Sequence, residues 1–172
     1  NYLPIFTLIV SLGLIITYWT FGINFYRASA LLRLANKQIA SDLTGSFLKQ
    51  QQAQSLNPYD ATYSIILSQT YQKVALFYLQ KQSPTEIDKQ NAIDAMQRTI
   101  DAGRQAAKID PFNVLVWENL SNIYQTFIGA AQGSEDLAIS HLSQAISLDP
   151  TNPKLRLQLG ILFYNLKDKE QA

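Results

Sequence analysis

Residues 114–150 read VLVWENLSNIYQTFIGAAQGSEDLAISHLSQAISLDP, and this stretch decides the fold. Its apolar residues recur at spacings of three and four, as on the buried face of a helix. Gly129 and Gly133 interrupt the spacing, and Asp149-Pro150 ends it. The stretch therefore predicts two helices, over about 114–128 and 136–148, that are joined by a glycine-containing loop.

The motif that ends this stretch, an apolar residue followed by Asn or Asp and then Pro, occurs three times. It stands at Leu56-Asn57-Pro58, Ile109-Asp110-Pro111 and Leu148-Asp149-Pro150. An alanine lies five residues before each proline: Ala53, Ala106 and Ala145. Because a residue that precedes proline is driven out of the helical conformation, each motif predicts the end of a helix.

Helical spacing fills the segments between these stops, and no stretch alternates with the two-residue period of a strand. A helix is predicted to end near residue 82, and Pro84-Thr85-Glu86 opens another that ends at Ile109. Residues 42–45 are predicted to form a turn before a helix over 46–56. Asn152-Pro153 opens the last helix. The chain is therefore expected to be all-α.

Residues 3–25 read LPIFTLIVSLGLIITYWTFGINF and carry no charge. At ~1.5 Å per residue, a helix of this length spans roughly 35 Å, enough to cross a hydrocarbon core of about 30 Å. Tyr18, Trp19 and Tyr26 lie toward one end, where aromatic rings favour the interface, and Arg27 closes the run. No basic segment precedes it, which disfavours a signal peptide. We therefore expect a membrane span that runs on into the next segment; its sidedness, and whether further spans precede it, stay open.

Composition excludes several classes of function. The chain carries 14 basic and 13 acidic side chains, a net charge of +1 that offers no field for nucleic acid. It has no Cys and one His, which excludes thiolate and His-rich metal sites. With 17 Gln and 10 Asn, much of its polar surface is uncharged. No cofactor, metal or nucleic-acid partner is expected.

The sequence also offers no catalytic group. His141 lies near Ser140 and Ser143, but adjacent residues of a helix do not face each other and no acid is placed to orient the ring. Two pairs of carboxylates stand at predicted helix starts, where they complement the helix dipole: Glu86 with Asp88, and Glu135 with Asp136. We predict no catalysis and no metal binding in this segment.

Residues between the stops repeat as well. At nine, ten and thirteen residues after the three prolines stand Leu67, Ser68 and Tyr71, then Leu120, Ser121 and Tyr124, then Leu159, Gly160 and Phe163. Together with Trp117, Ala138, Leu142 and Ala145, this pattern resembles the tetratricopeptide repeat (TPR). The prolines lie 53 and 39 residues apart, against about 34 in the family. Overlong helices account for the first excess and the loop near Gly129 for the second; Gly103 also replaces a large apolar residue of the pattern.

The resemblance implies a TPR-like α-solenoid of antiparallel helix hairpins preceded by a transmembrane helix. The expected domains are the transmembrane helix over 1–26, a degenerate helical hairpin over 27–58, and TPR-like repeats over 59–172, the last incomplete, with Ala172 its final match. In TPR proteins the first helix of each repeat lines a concave groove that holds a peptide or a partner helix. On this register the groove residues are Gln69, Gln72, Lys73, Leu115, Glu118, Asn119, Asn122, Gln125, Lys154 and Gln158, together with Ile65, Leu157 and Ile161.

The function expected from this resemblance is a membrane-anchored protein–protein interaction module in the bacterial cell envelope. As an alternative, an apolar span followed by Leu56-Asn57-Pro58-Tyr59 resembles the C-terminal region of O-antigen ligase or polymerase-like membrane proteins. That resemblance implies an appendage of a glycan-transfer enzyme whose active site lies upstream. A structural spacer is a third possibility. Of the positions with which some TPR domains hold a chaperone's C-terminal carboxylate, only Asn119 and Lys154 match, so no carboxylate site is expected.

Overall fold

The structure is a computed structural model that describes residues 2–38 and 42–170, so the predicted match at Ala172 lies outside the described residues. These ranges form helices α1 (Leu3–Gln38), α2 (Leu43–Leu56), α3 (Ala61–Leu79), α4 (Glu86–Ile109), α5 (Val114–Thr126), α6 (Ser134–Leu148) and α7 (Pro153–Glu170). The same ranges contain no strand. The prediction of an all-α chain is confirmed.

The first compact unit, Asn1–Pro58, consists of α1 packed against α2. Helix α1 continues for 36 residues without a break. It is long and apolar enough to cross a membrane, and none of its most apolar window is buried. A signal sequence near an N-terminus meets the same criteria of length and composition.

The turn predicted over residues 42–45 is wrong, because α2 already begins at Leu43. The side chain of Asp42 accepts a hydrogen bond from the backbone N–H of Gly45 at 2.8 Å and so caps the helix. An aspartate three residues before a glycine is a pattern typical of a turn. Here the carboxylate instead accepts a backbone N–H group that the start of a helix would otherwise leave unpaired.

The second compact unit, Tyr59–Ala172, packs each helix against the next, from α3 to α7. Helices α3 and α4 have 19 and 24 residues, whereas α5 and α6 have 13 and 15. The first pair is therefore the overlong one, as its spacing predicts. The connection between α5 and α6 is the loop around Gly129, also as expected.

The three stops are short connectors that we call Asx-Pro connectors, each a run of four residues that begins with Asn57, Asp110 or Asp149. The backbone N–H of that first residue donates to the carbonyl oxygen of the alanine four residues earlier: Ala53, Ala106 or Ala145. The side-chain oxygen of the fourth residue accepts an N–H group from the next helix: Asp60 from Thr62, Asn113 from Leu115, and Asn152 from Lys154. Each connector thus closes one helix and opens the next.

The main core of the second unit surrounds α5 and α6, where Leu120, Ile123 and Phe127 are fully buried. Gly103 of α4 lies against this core. A Cβ atom there would stand 2.7 Å from Cδ1 of Ile123 and 2.9 Å from Cδ2 of Leu120. The departure from the TPR pattern at Gly103 therefore makes room for two large side chains of α5.

Candidate functional site

Helices α3, α5 and α7, which begin successive helix pairs, line one open groove of about 880 Å³ in the second unit. The structure brings all ten predicted groove residues to it: Gln69, Gln72, Lys73, Leu115, Glu118, Asn119, Asn122, Gln125, Lys154 and Gln158. Ile65 and Ile161 line it too, whereas Leu157 is not among the lining residues. Sequence reasoning missed Thr62, Leu76, Asn113, Thr126 and Leu142. The helical spacing from Asn122 points to Thr126, one turn further on.

Amide side chains join α3 to α5 along the groove. The Nε2 atom of Gln69 donates to Oδ1 of Asn119 at 3.4 Å. The Nε2 atom of Gln72 donates to Oδ1 of Asn122 at 3.1 Å and to Oγ1 of Thr126 at 2.6 Å. The two pairs of amides have the same separation of 50 residues, so α3 and α5 run parallel in a fixed register.

Asn119 is held inside the groove floor and is only 8% exposed. Its Nδ2 atom donates to Oγ of Ser68 at 3.0 Å, and its Oδ1 atom accepts from Gln69. Both ends of this amide are therefore engaged within the protein. Asn119 positions α5 against α3, which the sequence register alone did not reveal.

A charged cluster joins α5 to α7. Oε1 of Glu118 accepts hydrogen bonds from Nζ of Lys154 at 2.7 Å and from Nε2 of Gln158 at 3.0 Å. Burial raises the pKa of Glu118, but the hydrogen bonds from Lys154 and Gln158 and the charge of Lys154 outweigh burial, so the pKa lies below its usual value. Glu118 is thus a partly buried carboxylate that stays ionised at neutral pH.

The remaining predicted residues complete the groove with apolar surface, one amide and one cation. Leu115 and Ile161 are 63% and 51% exposed, so the groove carries apolar patches. Nε2 of Gln125 donates to Oγ of Ser121 at 3.0 Å. Lys73 is exposed. The site combines apolar contacts with polar groups, as surfaces that hold extended peptides do.

The groups considered for chemistry do not converge. Within residues 2–38 and 42–170, no three His, Asp or Glu side chains meet in a way that could hold a metal ion. The ring of His141 lies 5.5 Å from that of Trp117 and 5.3 Å from that of Tyr124, centroid to centroid. Burial, and secondly the charge of Arg104, lower its pKa. His141 is thus a packing side chain of the α5–α6 pair.

Comparison with known proteins gives the fold. No family model matches this sequence, and no curated protein matches it. The first TPR of Spaghetti (RPAP3), solved with the HSP90 peptide SRMEEVD, shares 10% identity over 83% of this chain and 95% of its own, with a TM-score of 0.59. The Arabidopsis OM64 TPR domain shares 14% over 81% of this chain and 96% of its own, with a TM-score of 0.57. TTC0263, a thermophilic TPR protein of Thermus thermophilus, shares 19% over 81% of this chain and 65% of its own, with a TM-score of 0.61. The chain therefore has the TPR fold.

Proposed function

We propose that the chain is a membrane-anchored TPR module that binds a protein partner through an extended peptide held between α3, α5 and α7. One observation carries the proposal: all ten residues that the repeat register selects line a single groove. A similar TPR structure was solved with a peptide bound, which supports the same use of this one. The chemistry of the groove is that of a binding surface, so this segment binds and does not catalyse.

A display library of random octapeptides, selected against the full chain in detergent micelles, tests the groove. We expect enriched peptides to lose at least ~10-fold in affinity, or about 1.4 kcal/mol, on Leu115→Arg, because the longer charged side chain replaces an apolar contact. Ile93→Arg is the matched control, since Ile93 is 58% exposed and lies on α4, outside the lining residues. Equal affinity for both variants would place the peptide site elsewhere.

The anchor in this proposal is α1. Its apolar residues are uncovered from Ile5 to Phe25, and the first fully buried side chain after them is Ala28. A helix with so much exposed apolar surface needs a lipid environment or another partner. We propose a membrane span over residues 3–25 in a bacterial cell envelope.

Membrane fractionation tests the anchor. The full chain should stay with membranes through washes at high salt and alkaline pH, because hydrophobic insertion is insensitive to both. The same chain without residues 1–26 should move to the supernatant as a folded helical protein. If the shortened chain stays with the membranes after the same washes, α1 is not the anchor.

The second candidate places the module on a polytopic O-antigen ligase or polymerase-like enzyme whose active site lies upstream. It is favoured by α1, which continues without a break beyond the apolar run, and by Leu56-Asn57-Pro58-Tyr59, which follows α1 and α2 in the chain. The coding sequence before residue 1 decides between the two candidates. Many further spans with large polar loops would support the enzyme, and a start codon close to Asn1 would exclude it.

A further inference from the structure

We infer that the groove selects a peptide with a lysine or arginine side chain, whose cation contacts Glu118 and Gln158. The inference rests on the proposed function and adds the chemistry of the peptide. It comes from the direction of the side-chain hydrogen bonds in the groove, which leaves the amide oxygens of its glutamines without a protein donor.

Four glutamines line the groove, and each of them donates its Nε2 group to a protein atom. Gln69 donates to Asn119, Gln72 to Asn122 and Thr126, Gln125 to Ser121, and Gln158 to Glu118. Over the described part of the chain, the Oε1 oxygens of these four side chains accept no hydrogen bond from another protein group. The groove therefore contains amide oxygens that no protein donor engages.

The chemistry of the partners fixes the direction of three of these bonds. Oγ1 of Thr126 donates its proton to the carbonyl oxygen of Asn122 at 2.9 Å, so it only accepts from Gln72. Oγ of Ser121 likewise donates to the carbonyl oxygen of Ala138 at 2.8 Å and accepts from Gln125. The ionised Glu118 has no proton to donate, so Gln158 must present its NH₂ group.

The direction at Gln69 follows from a chain of bonds. Oγ of Ser68 donates to the carbonyl oxygen of Ile65 at 2.6 Å, so it accepts from Nδ2 of Asn119. That bond turns Oδ1 of Asn119 toward Gln69, which must then donate. Exchanging the positions of Oε1 and Nε2 in any of the four glutamines would place two donors or two acceptors opposite each other.

The acceptors are densest between α5 and α7. Oε1 of Gln158 is buried and has no hydrogen-bond partner in the described residues. Lys154 and Gln158 both bond to Oε1 of Glu118, which leaves Oε2 for another donor. A buried acceptor without a partner is costly, and a carboxylate makes the strongest hydrogen bonds with a cationic donor.

A lysine or arginine side chain matches this arrangement. Its cation supplies several donors to the two acceptors, and its aliphatic stem packs on apolar surface such as that of Leu115 and Ile161. Lys154 is already paired with Glu118 at the open side of the groove, where its side chain is 66% exposed, so a ligand cation joins or replaces it. An acidic ligand would instead face the oxygens of Glu118 and Gln158.

The display selection on the full chain in detergent micelles tests this inference, with random octapeptides as the probe. We expect Lys and Arg to be enriched and Asp and Glu to be depleted. In an enriched peptide, Lys→Gln or Arg→Gln should lower the affinity by at least ~10-fold, or about 1.4 kcal/mol. In the Glu118→Gln variant, the ratio of the affinities of the two peptides should fall to near one. Glu135→Gln, which removes an exposed carboxylate outside the groove, should preserve the ratio.

The results of this selection distinguish a failure of the inference from a failure of the proposed function. Peptides without a basic residue that still lose affinity on Leu115→Arg would overturn the inference and leave the proposed function intact. Enrichment of acidic residues would do the same. If Glu118→Gln weakened the charged and neutral peptides equally, Glu118 would have only a structural role and the inference would fail. A selection that enriches no peptide would overturn both proposals.

Discussion

The helix pairs α3–α4 and α5–α6 follow one plan but pack in different ways. Of the fifteen buried residues of α3 and α4, four are large: Tyr63, Leu67, Tyr71 and Met96. The other eleven are small: Ala61, Ser64, Ser68, Thr70, Ala75, Ala92, Ala95, Thr99, Ala102, Gly103 and Ala106. The α5–α6 pair with its loop adds several large residues to its small ones: Val116, Leu120, Ile123, Tyr124, Phe127 and Leu142. Small residues allow two long helices to approach closely over many turns, and large residues fill the space within a shorter pair.

This difference predicts opposite weaknesses. A pair that gains its stability from large side chains is damaged most when one of them is removed, since a cavity remains. A pair that depends on close approach is damaged most when a small residue is enlarged.

The largest effect should come from Phe127→Ala. Phe127 has no exposed surface, and truncating such a residue costs about 3–5 kcal/mol in lost burial and in the cavity left behind. Urea unfolding of the full chain in detergent micelles, followed by circular dichroism, measures the loss. Phe112→Ala, at a position that is 82% exposed, should change the stability by less than about 0.5 kcal/mol. Equal losses would contradict the assignment of the α5–α6 core.

Enlarging an alanine should have the next largest effect. Ala106 and Ala145 occupy equivalent places before their Asx-Pro connectors, and neither is exposed. Leucine at either position should cost about 1–3 kcal/mol through overpacking. Ala106→Leu should be the costlier, because small residues fill most of the buried positions of its pair. The same urea measurement compares them, with Ala130→Leu in the exposed loop as the control. A larger loss at Ala145 would reverse the contrast.

The helix starts should show a smaller difference. Thr85 and Asp88 form a capping box at the start of α4, whereas Gly133, with φ of 73°, precedes α6 and makes no side-chain cap. Thr85→Ala should therefore cost about 1 kcal/mol through the lost cap, and Thr85→Ser should restore most of it. Gly133→Ala should cost about 1–2 kcal/mol through backbone strain instead. Denaturation midpoints would show the serine rescue; its absence would mean that the cap contributes little.

The smallest effects should appear as the pH falls. Hydrogen bonds from Lys81, then from Thr85, lower the pKa of Asp88 to about 2. The folding stability that ionised Asp88 contributes is therefore present above the pKa of an unfolded Asp, about 3.9, and is lost as the pH falls toward 2. Burial, followed by Arg104, lowers the pKa of His141, so the native state favours the neutral ring and the protein loses stability as the pH falls below about 6.5.

The free energy of unfolding, measured as a function of pH between about pH 8 and pH 2, separates the two windows. His141→Phe keeps an aromatic ring against Trp117 and Tyr124 and should flatten the curve only in the upper window. Asp88→Asn should flatten it only in the lower one. Should either variant change the other window, the assignment of that window would be wrong.

Local signals made much of the fold predictable. The Asx-Pro connectors were readable because a proline and two short polar side chains define their hydrogen bonds within four residues. The groove followed from the register, since helices of equivalent position lie side by side. The burial of Asn119 and the orientation of the Gln69 and Gln72 amides depend on partners about 50 residues away, so no local pattern reports them. Gly103 could be recognised as unusual but not explained without Leu120 and Ile123.

The Asx-Pro connectors also bear on how such a chain grows. Each one satisfies its hydrogen bonds with its own residues and the helix ends beside it. Residues 111–149 therefore form a cassette of 39 positions whose two junctions are chemically alike. An in-frame copy of its codons would insert a helix pair without creating a new kind of junction and would lengthen the groove by one helix. Duplication at these prolines is thus a route to a longer groove, and so to a longer bound peptide, in which every connector keeps the same hydrogen bonds.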